Sequence, residues 1–164
     1  MKKMFLLMAF VITTVNFAAA SGTIINKKAM KDGEQIFIKN ADECLSIIEK
    51  AAQKLGITGA AMIAFIPGEV SESWISKMKV IGRLTGKDAN FLAIAYAKAS
   101  EMAVTHENSG NAERKEITGE FGWQGGMIIK VESGYLLAAF SGGTGQQDAD
   151  VAKAGLVWLV EKFK

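Results

Sequence analysis

The stretch from Phe140 to Leu159, FSGGTGQQDADVAKAGLVWL, reads as a strand that runs into a glycine-rich turn and out into a helix. Gly142, Gly143 and Gly145 allow positive φ or a close backbone approach in the turn. Thr144 stands where an N-cap belongs, and Gln147, three residues on, completes a capping box. Asp148 and Asp150 put negative charge in the first helical turn, where the helix dipole favours it. Ala152, Gly155, Leu156, Leu159, Val160 and Phe163 then mark an inward face. The stretch contains no nucleophile, base and metal-ligand set, so it specifies structure before it specifies chemistry.

Working back from it, 126–131 and 135–140 are apolar runs joined by Glu132, Ser133 and Gly134, which predicts a hairpin. Glu107 to Lys115 is polar and reads as a loop. Lys87 to His106 reads as a long helix with Ala89, Leu92, Ala93, Tyr96, Ala99 and Ala103 on one face. Residues 58–66 and 74–81, separated by Pro67 and Gly68, form a second hairpin-like unit; imperfect alternation around Ile75, Met78 and Val80 leaves room for a bulge. Asn40 as N-cap with Glu43 predicts a helix over Ala41–Leu55, stopped by Gly56. Before it, Gln35–Ile38 reads as a short strand or extended lead-in, and Ser21–Glu34 as a solvated turn or arm. Antiparallel hairpins alternating with helices define an α+β class.

The chain has 164 residues, 49% of them hydrophobic, which suits one domain with a real core. Met1–Ala20 reads as a secretory signal peptide, followed by a single domain over 21–164. Lys2 and Lys3 precede the apolar run Met4–Val15, and Ala18, Ala19 and Ala20 fit a small-residue cleavage site. That run is shorter than the ~20 residues a bilayer span needs, so no stable membrane anchor is expected. The predicted location is periplasmic or secreted. The formal charge of +2 is carried by Lys2 and Lys3, so the mature domain is neutral. A neutral domain lacks the basic face that nucleic acid requires. Cys44, the single cysteine, cannot form an internal disulfide and reads as a small core residue.

Ser141–Asp148 followed by Val151–Leu156 resembles the C-terminal signature of the GlcG/HbpS-like family, also called the haem-degrading domain family, which includes the C-terminal domain of PduO proteins. Weaker pieces agree in order: Ala51–Gly56, Lys77 and Met78 where the family tends to have Arg-Met, Ala97–Ala99, and Gly125 with Gly126. The resemblance covers about Ala41–Lys162. It implies a profilin-like domain with about five antiparallel strands flanked by helices, assembly into a homo-oligomer, and haem or a related tetrapyrrole as ligand. The chain departs from the pattern at Pro67, Gly68 and Glu69, which replace Asp-x-x-Gly, and at Lys79 and Val80 after Met78.

Under that resemblance His106, the only histidine, is the candidate iron ligand, against the plainer reading of a helix C-terminal histidine favoured by the dipole. Tyr96, Tyr135, Met62, Met78, Met102 and Met127 are further axial candidates; methionines also serve as flexible core filler. Lys77, Lys79 and Arg83 are candidates for haem propionates, or simply a solvated strand edge. Gly122 and Trp123, with Gly125 and Gly126, suit one wall of a pocket for a small planar ligand, and suit a core corner equally. The cofactor-binding set is therefore His106, Met78, Lys77 and Trp123, with His106 as metal ligand. The glycine turn is neither a Walker A loop nor GxGxxG, and Asp148 disfavours an anion there. Glu113/Glu116 and Asp148/Asp150 lack apolar flanks, the usual zinc sets are absent, and there is no Gly-x-Ser-x-Gly elbow. The sequence reading is an exported small-ligand-binding domain that sequesters rather than catalyses. Oxidative haem breakdown and a ligand-free oligomer acting through a partner protein are the alternatives.

Overall fold

A computed structural model describes residues 27–164. The signal peptide read at Met1–Ala20 and the first part of the predicted arm lie outside the described residues. Four strands, β1 (Gly59–Pro67), β2 (Ile75–Ile81), β3 (Gly126–Val131) and β4 (Gly134–Ser141), form one antiparallel sheet in the order β2-β1-β4-β3. Helices α1 (Lys27–Lys54) and α3 (Gly145–Val160) cover one face, and α2 (Phe91–Thr105) covers the other. This is the α+β, profilin-like layering expected, with four strands among the described residues where about five were expected.

The central strands explain the layering. β1 and β4 are buried along essentially their whole length, which is why both read as unbroken apolar runs rather than alternating ones. Period-two alternation sends Ala61, Ile63, Phe65, Leu136, Ala138 and Phe140 toward α1 and α3. Met62, Ala64, Ile66, Tyr135, Leu137 and Ala139 pack toward α2. Gly59↔Ile81 through Phe65↔Ile75 pair one to one, so the bulge that the alternation allowed is not formed.

The largest correction is at the start. The arm, the lead-in and the first helix are one 28-residue helix. Gly33, Phe37, Ala41, Cys44, Leu45, Ile48 and Ala52 fall on one buried stripe at three- and four-residue spacing. Asn40 is therefore not an N-cap; its Nδ2 donates to Ile36 O at 2.7 Å within the helix. Gly33, which suggested a turn, serves a close approach to the sheet: a Cβ there would stand 2.5 Å from Ser133 Oγ and 2.7 Å from the Phe65 ring. Gly155 does the same between α3 and α1, where a Cβ would meet Ile48 at 2.5 Å.

α2 begins later than predicted. Asn90 is its N-cap, with Oδ1 accepting from Ala93 N at 3.0 Å. Its buried residues are Phe91, Ile94, Ala95, Lys98, Ala99, Glu101 and Met102; of the predicted stripe Ala99 is buried, and Tyr96 and Ala103 pack at the core's margin. Apolar area sets which face turns inward, and Phe91, Ile94 and Met102 offer far more of it than alanines do. No further strand forms over 107–125, where Gly110, Gly119, Gly122 and Gly125 all take positive φ and break any extended run.

Candidate functional site

The glycine-rich turn folds as read. Thr144 caps α3, with Gln147 N donating to its Oγ1 and Gln147 Oε1 accepting from Thr144 N, a complete capping box. Asp148, however, does not face solvent. Its carboxylate is buried, with Oδ2 taking a hydrogen bond from Lys98 Nζ at 2.8 Å and Oδ1 one from Gly143 N at 2.8 Å. Lys98 Nζ also donates to Phe140 O at 2.7 Å. One lysine thus ties α2 to the end of β4 and to the first turn of α3. Burial raises the Asp148 carboxyl above its ordinary value, partly opposed by Lys98, and burial lowers the Lys98 amine, partly opposed by Asp148. Desolvation outweighs attraction in both partners, as expected for an ion pair buried on both sides. Gly125, with φ +121°, passes so close that a Cβ would sit 2.5 Å from both Asp148 Cβ and Lys98 Nζ.

Beside this pair lies an open cavity of about 410 Å³. Phe91, Ile94 and Lys98 of α2 form one side, the glycine turn from Ser141 forms the second, and Gly122 to Gln124 form the third. Its size falls in the range of small-molecule sites, ~300–1,000 Å³. A hollow of about 480 Å³ on the outer side of α1 is larger, but only the helix residues Gln35, Ile36, Lys39 and Asn40, with Lys162, surround it. The cavity by the turn is where three elements converge and where polar groups point inward.

Trp123 lines this cavity, half-exposed and stacked on Phe121 at 5.1 Å between centroids. Its backbone is fixed by Ser109, whose Oγ donates to Trp123 O at 2.9 Å and accepts from Gly126 N at 2.8 Å. Arg114 and Glu120 form a two-pronged ion pair that closes the loop carrying it, with Nη2 to Oε1 at 2.9 Å. The other sequence-predicted residues lie elsewhere. Lys77 and Met78 are neighbours on β2 and so point to opposite faces: Lys77 pairs with Asp42 of α1 at 2.6 Å, and Met78 packs toward α2. They cannot hold one ligand between them on one face. Lys79 is likewise taken by Glu49 at 2.6 Å.

His106 stands at the C-cap of α2 with φ 56°, its backbone N donating to Met102 O at 2.9 Å. That is the plainer, helix-terminal reading. Its ring stacks on Tyr135 at 4.1 Å, and Tyr135 Oη donates to Glu69, which Lys130 also holds at 2.9 Å. The Lys130 hydrogen bond keeps the Glu69 carboxyl below its ordinary value. His106 Nε2 is buried without a hydrogen-bond partner, and His106 is not in the wall of the turn cavity. Structure therefore brings Trp123 to a cavity and leaves His106, Met78 and Lys77 away from it.

The residue that sequence reasoning missed is Lys98 as an ionic anchor. A signal existed: Lys98 falls in line with Ile94, Ala95, Ala99 and Met102, and a lysine on an apolar stripe demands a buried partner. Among the described residues no group of three or more His, Cys, Asp or Glu could hold a metal ion, and no helix is long and apolar enough to cross a membrane.

No family model matches the chain, and no curated protein matches it. Among solved structures, the Ybr137w protein shares the fold with a TM-score of 0.53 at 12% identity, over 84% of this chain and 90% of that one. The Klebsiella pneumoniae DUF336 protein ORFY matches with a TM-score of 0.48 at 17% identity, over 74% of this chain and 88% of that one. A double mutant of Streptomyces reticuli HbpS matches with a TM-score of 0.43 at 16% identity, over 93% and 99%.

Proposed function

We propose that this protein binds a small planar ligand in the cavity between Trp123 and the glycine turn, and that it acts by sequestering that ligand. The observation that carries the reading is the cavity itself. An indole stacked on Phe121, its backbone held by Ser109, lines the cavity with a turn whose glycines present no side chains, beside a buried ion pair. A flat ligand gains stacking on Trp123 and apolar contact with Phe91 and Ile94. The reading includes export, on the strength of the Met1–Ala20 pattern, and self-assembly of the domain.

Haem, the ligand that the family resemblance implies, fits these residues poorly. His106 keeps Nε2 buried against Tyr135, and the cavity wall holds no His, Met, Cys or Tyr to meet an iron. The test is titration of the purified domain with haemin, beside a set of smaller flat rings, followed by tryptophan quenching and ligand absorbance. Saturable binding that Trp123→Ala weakens by tenfold or more supports the cavity. Binding that Trp123→Ala leaves unchanged sinks it. A haemin Soret shift abolished by His106→Ala would return the site to His106.

A further inference from the structure

Two polar groups in the cavity have unused hydrogen-bonding capacity. Ser141 is the last residue of β4, 4% exposed, and shares the parity of Tyr135, Leu137 and Ala139, so its hydroxyl lies on the α2 side, where the cavity is. That hydroxyl has no hydrogen-bond partner among the described residues, yet it is not a sealed atom, since the one sealed side-chain polar atom without a partner there is His106 Nε2; the hydroxyl is open to the cavity it lines. Lys98 Nζ carries three N–H donors and spends two, on Asp148 Oδ2 and Phe140 O. Phe140 is the residue next to Ser141, so the spare ammonium donor and the free hydroxyl belong to one floor.

The charge on that floor is already balanced. Lys98 and Asp148 are 2.8 Å apart with side chains 4% and 5% exposed, and both line the cavity. A ligand carboxylate placed there would lie against Asp148 as much as against Lys98, in a poorly screened site. A neutral acceptor meets no such penalty and satisfies both Lys98 and Ser141. The walls are Trp123 and Phe91, which favour a ring.

We infer that Lys98 and Ser141 form a recognition floor selecting a flat heteroaromatic ligand with an uncharged acceptor edge, a ring carbonyl or ring nitrogen, over an iron tetrapyrrole with its carboxylates. The inference rests on the cavity reading above and narrows it to a ligand class. Its test uses lumichrome, an uncharged tricyclic ring with two carbonyls, and haemin as the anionic competitor, followed by fluorescence with the full mature chain. Lumichrome binds, Trp123→Ala weakens it, and Ser141→Ala, which removes one hydrogen bond and little volume, weakens it about five- to tenfold. Lys98→Met combined with Asp148→Leu keeps the corner apolar and folded, and weakens lumichrome by at least as much as Ser141→Ala does. If Trp123→Ala weakens lumichrome while Ser141→Ala and the double variant do not, the cavity stands and the floor is wrong. If haemin binds through Trp123 and displaces lumichrome, or binds where lumichrome does not, the cavity stands and the ligand class is wrong. If neither ring binds up to its solubility limit, both readings fall.

Discussion

The two corners served by α2 treat a buried titratable group in opposite ways. In its middle, Lys98 is enclosed and meets a carboxylate and a backbone carbonyl. At its C-terminus, His106 packs its ring on Tyr135 and leaves Nε2 without any partner. The first corner joins three elements through one side chain, and the second is a local stack at a helix end. Partnered burial makes a residue an anchor whose removal is felt throughout the fold; a ring nitrogen that meets no partner leaves its residue replaceable. The cavity lies against the anchored corner, where the polar groups are held in place.

The sharpest way to break this contrast is to remove the anchor. Lys98→Met leaves Asp148 buried without its counter-ion and is expected to cost about 3–5 kcal/mol in urea unfolding. Adding Asp148→Leu should recover most of that loss, because desolvation already outweighs attraction in both groups. A double variant as unstable as the single one would mean the pair itself, not the stranded charge, sets the stability. Next in size is Gly125→Ala, expected to cost about 2–3 kcal/mol, since a Cβ meets Asp148 and Lys98 at 2.5 Å and the backbone sits at φ +121°. An unchanged midpoint there would show that the corner can yield.

A smaller effect separates the cavity's loop from the fold beneath it. The Arg114 hydrogen bonds hold Glu120 below the ordinary carboxylate value of 4.5. A depressed carboxylate stabilises the native form above its unfolded pKa and loses that contribution as pH falls through the lower, folded value. The 107–125 loop should therefore loosen below about pH 4.5, seen as added protease cleavage there, while Glu120→Gln shows the loosened loop at neutral pH. Pattern and rate independent of pH and of Glu120 would remove the clip from the account. The smallest change is expected at the other corner. His106→Asn keeps a residue tolerant of the left-handed C-cap and removes the unpartnered nitrogen, so stability should move by no more than about 1 kcal/mol, the size of the lost ring stack. A loss of several kcal/mol would make His106 an anchor as well.

Much of this was legible along the chain because it depends on near neighbours. The Thr144–Gln147 capping box, the hairpin turn at Ser133 and Gly134, and the apolar runs of β1 and β4 are each decided within a few residues. The α1 boundary was misread for the same reason. Gly33 and Asn40 carry turn and cap signals locally, and they were overridden by a stripe from Gly33 to Ala52 that only matters once a sheet and α3 lie against it. The face of α2 was misassigned because spacing alone does not weigh Phe91 and Met102 above alanines. For the site, Trp123 beside its glycines was readable as one wall, whereas Lys98 was marked only by its place on an apolar stripe and Ser141 by nothing local.

What the sequence determined by itself was the α+β class, the two hairpins and the capped glycine turn. Each follows from backbone preference or periodicity acting over one to four residues. Only the tertiary structure decided that Asp148 faces Lys98 rather than solvent, that Lys77 and Met78 part to opposite faces, and that His106 lies away from the cavity. Those outcomes turn on contacts such as Lys98 with Asp148, fifty residues apart, where the low dielectric of a shared interior, not the local pattern, sets the energy.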